Sequence, residues 1–168
     1  MAENILAIRT DDQTEEEPRF IAIVIKTTTQ QKMLIAAFYL PTKQEHTESR
    51  KATIKRLNNL IEEMLTENFR VDEAKNIIMA GDVNMCQNKT KENNDSAQRE
   101  LQKIIINHNL VDMAKEVEGE KARPTFYPKI LTHRPSRLDL IFLNIEMLED
   151  NTKVGIAPLI LIENRRRH

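Results

Sequence analysis

Two apolar segments in the first quarter of the chain have the pattern of β-strands. The segment FIAIVIKTT at 20–28 and the segment MLIAAFYLP at 33–41 are separated by the polar stretch TQQK. Valine, isoleucine and phenylalanine favour strands, whereas proline ends them. Because a short polar connection usually joins antiparallel neighbours, the pattern predicts an antiparallel pair at the heart of a sheet.

Two later segments have the three- and four-residue spacing of amphipathic helices. In the first, at 47–69, the apolar positions are Ile54, Leu57, Ile61, Met64 and Leu65. In the second, at 96–113, they are Leu101, Ile104, Ile105 and Leu110. Polar residues fill the remaining positions, so each segment predicts a helix with one buried and one solvated face.

Three further segments have the composition of strands. The interior of AKNIIMAGD at 74–82 is wholly apolar, as is typical of a buried central strand. RLDLIFLN at 137–144 and TKVGIAPLILI at 152–162 follow, after an irregular stretch with three prolines at 119–137. The order of strands and helices predicts an α/β fold, a sandwich of mixed β-sheets with helices outside.

Composition limits the class of protein. The 168 residues are 40% hydrophobic and 30% charged, which predicts one globular domain with a core. A net charge of −1 supplies no general basic field for nucleic acid, although it is compatible with a local basic face. No apolar run approaches the roughly 20 residues that span a membrane, so no membrane segment is expected.

The cysteine content and the N-terminal residues bear on the compartment. Cys86 is the one cysteine, which excludes a disulfide framework and a cysteine-based zinc site. The first residues, MAENILAIRTDD, lack the basic and apolar regions of a secretory signal. We therefore expect an intracellular, cytoplasmic or nuclear protein, with Cys86 as a packing residue.

A carboxylate and an amide follow the buried strand at 74–82. Asp82 and Asn84 stand where this strand emerges, and side chains two positions apart share a side if the strand continues. A carboxylate accepts a proton and an amide donates a hydrogen bond, which together suit a site that orients water and holds a phosphate oxygen. The alternative is a simple turn, since aspartate and asparagine favour turns.

A second aspartate lies inside a strand pattern. Asp139 is surrounded by apolar residues in SRLDLIF, and a carboxylate in such a place is costly unless it is paired. Its partner is either the nearby Arg137, in a salt bridge, or a histidine whose ring the carboxylate orients.

Four stretches, in order, resemble the endonuclease/exonuclease/phosphatase (EEP) superfamily. NIIMAGDVN resembles its Gly-Asp-Phe-Asn strand, SRLDLIF its Ser-Arg-x-Asp strand, and AAFYLP with the following helix its Tyr-x-Pro element. RPTFYP resembles the Thr-Phe element of non-LTR retrotransposon (LINE-type) endonucleases. The resemblance implies an incomplete DNase I-like domain at 20–160, between a variable N-terminal segment at 1–19 and a basic tail at 161–168.

The resemblance also implies roles for four residues. Asp82 corresponds to the aspartate that handles the proton of water or of the leaving group. Asn84 corresponds to the asparagine that contacts the scissile phosphate, and Tyr39 to the tyrosine that supports it; the alternative for Tyr39 is a core tyrosine. Asp139 corresponds to the aspartate that orients the catalytic histidine. Such an aspartate fixes the tautomer of the histidine ring and stabilises its cation.

Substrate and metal contacts are implied in the same way. Thr125 and Ser136 correspond to polar residues near the active site of the retroelement enzymes. Arg137 ends a stretch with five Lys or Arg and no acid, at 121–137, which is either a phosphate-contacting loop or an ordinary solvated one. Mg²⁺ is the family's cofactor, and Asp82 and Asn84 are its candidate ligands here.

Two motifs of the family have no counterpart in this sequence. Nothing before Arg19 matches the Gln-Glu strand whose glutamate binds Mg²⁺, and the end of the chain, PLILIENRRRH, lacks Ser-Asp-His. His133 and His168 are the candidates for the histidine. The chain is thus a fragment of a longer gene, a relic, or an enzyme in which other residues replace the absent groups.

The expected function is phosphodiester hydrolysis of DNA, with impaired or no activity because each absent group contributes substantially to the rate. The alternatives are a non-catalytic relic or interaction domain, or another EEP phosphatase. Absent early strands would also leave a sheet edge and apolar faces uncovered, which predicts self-association through that edge.

Overall fold

A computed structural model places the chain in a six-stranded mixed sheet with helices packed against it. It describes residues 4–11, 19–41, 47–84, 96–119, 124–128 and 135–147. In chain order the elements are β1 (Ile5–Thr10), β2 (Phe20–Lys26), β3 (Lys32–Tyr39), α1 (Thr47–Asn68), β4 (Asn76–Asp82), α2 (Ser96–Asn107), β5 (Leu110–Asp112), α3 (Met113–Glu118) and β6 (Asp139–Asn144).

The strands lie in the order β1-β2-β3-β4-β6-β5. The pairs β1–β2 and β2–β3 are antiparallel, and the second confirms the predicted pair. Strands β3 and β4 are parallel, so the chain must cross over between them, and α1 makes that crossing. Strand β6 returns antiparallel to β4 and also pairs with β5.

One face of the sheet, here called the helix face, forms the hydrophobic core. Alternate side chains of β2, β3 and β4 are buried together with the apolar stripe of α1. Fully buried members include Val24, Leu34 and Met79 from the strands and Leu57 and Met64 from α1. Each such side chain contributes about 1.5–3 kcal/mol by leaving water, so this layer supplies most of the stability.

The opposite face of the sheet, here called the open face, is less covered. It is formed by the side chains that alternate with those of the helix face. Ile8, Ile21, Tyr39 and Ile141 on this face are 55%, 42%, 46% and 46% exposed. The described residues thus form one sheet with helices on one face, which is the partial form of the predicted sandwich.

Several elements differ from the sequence-based expectation, which also lacked β5 and α3. The pattern did not indicate β1, which forms because Thr10 and its neighbours pair with β2 while Arg9 bonds to α1. The predicted helix at 96–113 was too long, because the chain turns at Asn109, whose φ is +51°. Leu110 is buried in β5 instead of on a helix.

Several predicted features lie outside the described residues. These are Cys86, His133 and His168, the strand at 152–162 and the basic tail at 161–168. Among the helices that are described, none combines the length and the apolar composition needed to cross a membrane.

Strands β3 and β4 approach each other closely at Gly81. Phe38 and Gly81 are partners in the parallel register, and a Cβ added to Gly81 would lie 2.0 Å from the carbonyl oxygen of Phe38. Backbone atoms of a central strand cannot move aside as a flexible side chain can. The pairing of β3 with β4 therefore requires glycine at position 81.

We predict that Gly81→Ala lowers the free energy of unfolding by about 3 kcal/mol or more, because the methyl group must separate two central strands. Gly119→Ala is the matched control: a Cβ there meets nothing within 4 Å, but φ is +64°. That change should cost about 1 kcal/mol. Urea titration of both variants measures the difference, and a Gly81→Ala variant as stable as Gly119→Ala would contradict the prediction.

Candidate functional site

Three of the predicted site residues form a row across the sheet. In the register of the strands, Tyr39 of β3 pairs with Asp82 of β4, and Asp82 pairs with Asp139 of β6. Side chains at paired positions point to the same face, so all three stand on the open face at the same end of the sheet. The phenol and the carboxylate of Asp139 are exposed, whereas Asp82 is half-buried between them.

Asp82 has a perturbed environment. Burial raises the pKa of its carboxyl, and the nearby charge of Asp139 raises it further. The hydrogen bond that Oδ1 accepts from the backbone N–H of Asn84, at 2.9 Å, lowers the pKa in part. A carboxyl whose pKa is raised toward neutrality exchanges protons more readily near pH 7 than an ordinary aspartate does.

Asn84 ends the strand instead of continuing it. Its φ is +46°, a left-handed conformation that asparagine tolerates, so the strand alternation that would place Asp82 and Asn84 on one side does not extend to Asn84. Its amide Nδ2 donates to the carbonyl of Leu40 at 2.8 Å. The turn and the site are thus compatible: Asn84 shapes the loop, and its side chain also forms a hydrogen bond with the carboxyl of Asp82.

A buried arginine supports this loop, and the sequence pattern did not reveal it. Arg50 lies near the start of α1 with only 4% of its surface exposed, and its Nη1 stands 3.5 Å from the backbone oxygen of Asn84. Arginine is rarely buried unless it is paired. The sequence-based prediction of α1 considered only the spacing of its apolar residues. The one available signal of a buried arginine was the presence of Arg50 within that predicted helix.

Thr125 and Ser136 hold the segment that enters β6. The hydroxyl oxygen of Thr125 accepts hydrogen bonds from the backbone N–H groups of Leu138 and Asp139, both at 3.0 Å. Ser136 forms an isolated antiparallel bridge with Phe126. Both residues therefore lie next to Asp139 and stabilise its backbone, while contact with a substrate stays a prediction for them.

Arg137 does not pair with Asp139, which was one alternative from the sequence. Its guanidinium forms a two-bond ion pair with Asp112, one bond of which is 2.7 Å, and the side chains of both residues are 11% exposed. Most of the guanidinium is thus used inside the protein. A phosphate contact by Arg137 also stays a prediction.

The residues around Asp82 fit a magnesium ion that is shared with a substrate. Across the part of the chain that the structure describes, no three His, Cys, Asp or Glu side chains come together to hold a metal. Mg²⁺, however, is usually held by one or two carboxylates and keeps waters and substrate phosphates as its other ligands. Asp82 and Asp139 provide two such carboxylates, and the side chain of Asn84 bonds to Asp82.

The histidine expected beside Asp139 is not among the residues that the structure describes. His108 is the one histidine within the described ranges, and its carbonyl accepts from Asn144 at the far end of β6. Its Nε2 lies 3.3 Å from Glu62 Oε1 on α1. His108 therefore belongs to the core side of the fold and not to the row at Asp82.

Solved structures share this fold. The catalytic domain of human Nocturnin, with a bound sulfate anion, matches with a TM-score of 0.57 and 15% identity over 84% of this chain and 48% of that one. TDP2 from Caenorhabditis elegans matches with a TM-score of 0.53 and 13% identity, over 84% of this chain and 41% of that one. A humanised TDP2 from D. rerio matches with a TM-score of 0.52 and 18% identity, over 84% of this chain and 52% of that one.

The likeness concerns the fold. No protein-family model and no curated protein sequence matches the chain. The chain spans about half the length of the solved structures that it matches. At these identities the matches establish a mixed α/β fold of the DNase I-like type, which confirms the predicted fold class.

We predict that neutralising either carboxylate of the row stabilises the protein at pH 7. The folded state holds a proton on Asp82 more tightly than the unfolded chain does, so this group favours folding below its ordinary pKa of 3.8 and disfavours it once the pH exceeds the raised value. Asp82→Asn and Asp139→Asn should each raise the free energy of unfolding by about 0.2–1 kcal/mol, the size of cross-strand pair interactions, because like charges directly opposite each other in a sheet are destabilising.

The double variant separates repulsion from other effects. Either single change removes the repulsion, so Asp82→Asn combined with Asp139→Asn should gain less than the sum of the two single gains. The gain should shrink in high salt and disappear at a pH where Asp82 is already protonated. Loss of stability at pH 7 in the Asp82→Asn protein would contradict the account.

Proposed function

We propose that this chain carries the phosphate-handling strands of a Mg²⁺-dependent phosphodiester hydrolase that acts on DNA. The observation that supports this most is the row of Tyr39, Asp82 and Asp139 on adjacent strands of a DNase I-like sheet. A phenol, a carboxyl with a raised pKa and a second carboxylate, together at the carboxyl ends of β3 and β4, lie where α/β sheets bind ligands.

Each residue has a chemical role in this proposal. Asp82 accepts the proton of an attacking water, or returns it to the leaving oxygen, from its position at the end of β4 between Tyr39 and Asp139. Tyr39 donates a hydrogen bond to a phosphate oxygen, and the side chain of Asn84, which lies beside Asp82, contacts the same phosphate as the resemblance implies. Asp82 and Asp139 would hold Mg²⁺, which would supply positive charge that neutralises the phosphate.

DNA is the proposed substrate because of the element that contains Thr125 and Ser136. This element resembles the retrotransposon endonucleases, and it stands directly beside Asp139. The sulfate bound to Nocturnin is a tetrahedral anion, as phosphate is, which is consistent with a phosphate site in this fold. Activity should be weak, since the family's metal-binding glutamate and histidine have no counterpart in the sequence.

We predict slow, Mg²⁺-dependent nicking of supercoiled plasmid by the purified chain. Asp82→Ala should abolish nicking, and Tyr39→Phe should reduce it by roughly a hundred- to a thousandfold, the range for losing one hydrogen bond to the reacting group. Asp72→Ala, which changes an exposed carboxylate far from the row, is the control and should nick normally. Plasmid that stays supercoiled at all Mg²⁺ concentrations would rule out the enzymatic proposal.

A non-catalytic interaction domain is the second candidate, and a specific observation favours it. The amide of Asn84, the hydroxyl of Thr125 and the guanidinium of Arg137 all make bonds within the protein. Residues used in this way can maintain the fold after catalysis is lost. This candidate requires that Mg²⁺ leave the melting temperature unchanged, whereas the hydrolase requires that Mg²⁺ raise it.

We also propose that the chain associates with itself through β1. This strand lies at one edge of the sheet that the described residues form, and among them its Ile5, Leu6 and Ile8 are 46%, 44% and 55% exposed. Its cation, Arg9, is neutralised by Glu67 at 2.7 Å, so it does not guard the edge as an unpaired charge would. Unpaired backbone groups on an apolar edge favour pairing with a second copy.

We predict that Ile8→Lys shifts the purified protein toward monomer, because a charge on the edge opposes pairing. Val71→Lys, at a fully exposed position outside the sheet, is the matched control and should leave association unchanged. Sedimentation velocity over a range of concentrations distinguishes the two. A wild-type protein that is monomeric at every concentration tested would contradict the proposal.

A further inference from the structure

An ion pair joins β5 to the segment that leads into β6. Arg137 donates through both terminal nitrogens to the carboxylate of Asp112, 25 residues earlier in the chain. With each side chain 11% exposed, water screens the pair little. A bidentate arginine–carboxylate pair also fixes direction, because the planar fork and the carboxylate must align.

Asp112 is itself held firmly. It is the last residue of β5, where it pairs with Phe142 of β6. Its Oδ1 also caps α3, accepting from the backbone N–H groups of Ala114 at 3.2 Å and Lys115 at 3.4 Å. The carboxylate of Asp112 therefore has little freedom to move, so the ion pair fixes the position of Arg137.

The residues on both sides of Arg137 connect to the candidate site. Ser136 bridges to Phe126, and the carbonyl of Leu138 accepts from the backbone N–H of Val83 at 2.8 Å. Val83 directly follows Asp82, and Leu138 directly precedes Asp139. The backbone at Arg137 thus lies one residue from the contact that aligns the two aspartates.

We propose that Asp112 is a positioning residue, which through its ion pair with Arg137 fixes the start of β6 and so holds Asp139 beside Asp82. The geometry stands independently, and only the chemical use of the two carboxylates rests on the proposed function.

Stability alone does not account for this pair. Removing two charges from water costs free energy that their attraction often only balances, so a buried ion pair is weak support for stability. What the pair supplies is a fixed orientation at a point where β6 starts next to an irregular segment. Asp139 is the first residue of β6, where a strand would otherwise fray.

Amide hydrogen exchange of the Asp112→Asn protein tests the proposal. Asparagine still caps α3 but cannot accept both bonds from Arg137, so only the two-bond ion pair between Asp112 and Arg137 is lost. Exchange at the N–H groups of Leu138 and Asp139 should accelerate by roughly tenfold or more, the effect of losing a charged hydrogen bond. Amides in the middle of α1 should keep their protection, and the carboxyl-carbon resonance of Asp139 should move.

Asp11→Asn is the matched control. Asp11, whose side chain is 1% exposed, pairs with Arg56 at 3.1 Å, but it lies next to β1 at the other edge of the sheet. This change should leave the exchange of Leu138 and Asp139, and the resonance of Asp139, as they are in the wild type.

A milder variant covers the case in which Asp112→Asn does not fold. Arg137→Lys keeps the charge but loses the fork, and should accelerate exchange at the same two amides by a smaller factor. Adding Arg137→Gln to Asp112→Asn allows a neutral side-chain bond and should restore part of the protection. Uniform acceleration over the whole chain, or no change at Leu138 and Asp139, would overturn the proposal.

These readouts do not depend on nicking. A chain without activity can still show that Asp112 positions Asp139, and an active chain can lack this positioning. A result against the positioning role of Asp112 is therefore distinguishable from a result against the proposed hydrolase activity.

Discussion

The contact between the backbones of Phe38 and Gly81 sets the geometry of the whole candidate site. Because no side chain projects from Gly81 into that space, β3 and β4 can pair in parallel to their ends. The register then places Tyr39 beside Asp82, and the antiparallel return of β6 adds Asp139. A site of three side chains follows from strand pairing, with α1 and the core below as its support.

The two faces of the sheet have opposite energetic roles. On the helix face, buried residues such as Leu34 and Met79 stabilise the fold. On the open face, Asp82 and Asp139 repel each other, and burial opposes the charge on Asp82. Two like charges stay adjacent because the ladder of β4 with β6, the turn at Asn84 and the bonds of Thr125 hold the backbone in place. Such a destabilising arrangement is typical of a functional site.

Local pattern predicted most of the fold and only part of the site. β-branched runs identified β2, β3, β4 and β6, and apolar spacing identified α1, since both are properties of neighbouring residues. The sequence pattern did not predict β1, because the short ILAIRT segment forms a strand through its pairing with β2 and the bond from Arg9 to Glu67. The adjacency of Tyr39, Asp82 and Asp139 was expected through family resemblance alone. The pair of Asp112 with Arg137 joins distant segments and has no local signal.

The account depends most on the register of β4 with β6, and disulfide trapping measures it directly. Ala80 and Ile141 are partners on the open face, next to the two aspartates. Ala80→Cys with Ile141→Cys, in a Cys86→Ser background, should oxidise to a disulfide, because paired residues bring their Cα atoms within bonding range, about 4.4–6.8 Å. Ala80→Cys with Leu140→Cys, one residue out of register and on the other face, should stay reduced. Efficient oxidation of the second pair and not of the first would show that Asp82 and Asp139 are not neighbours.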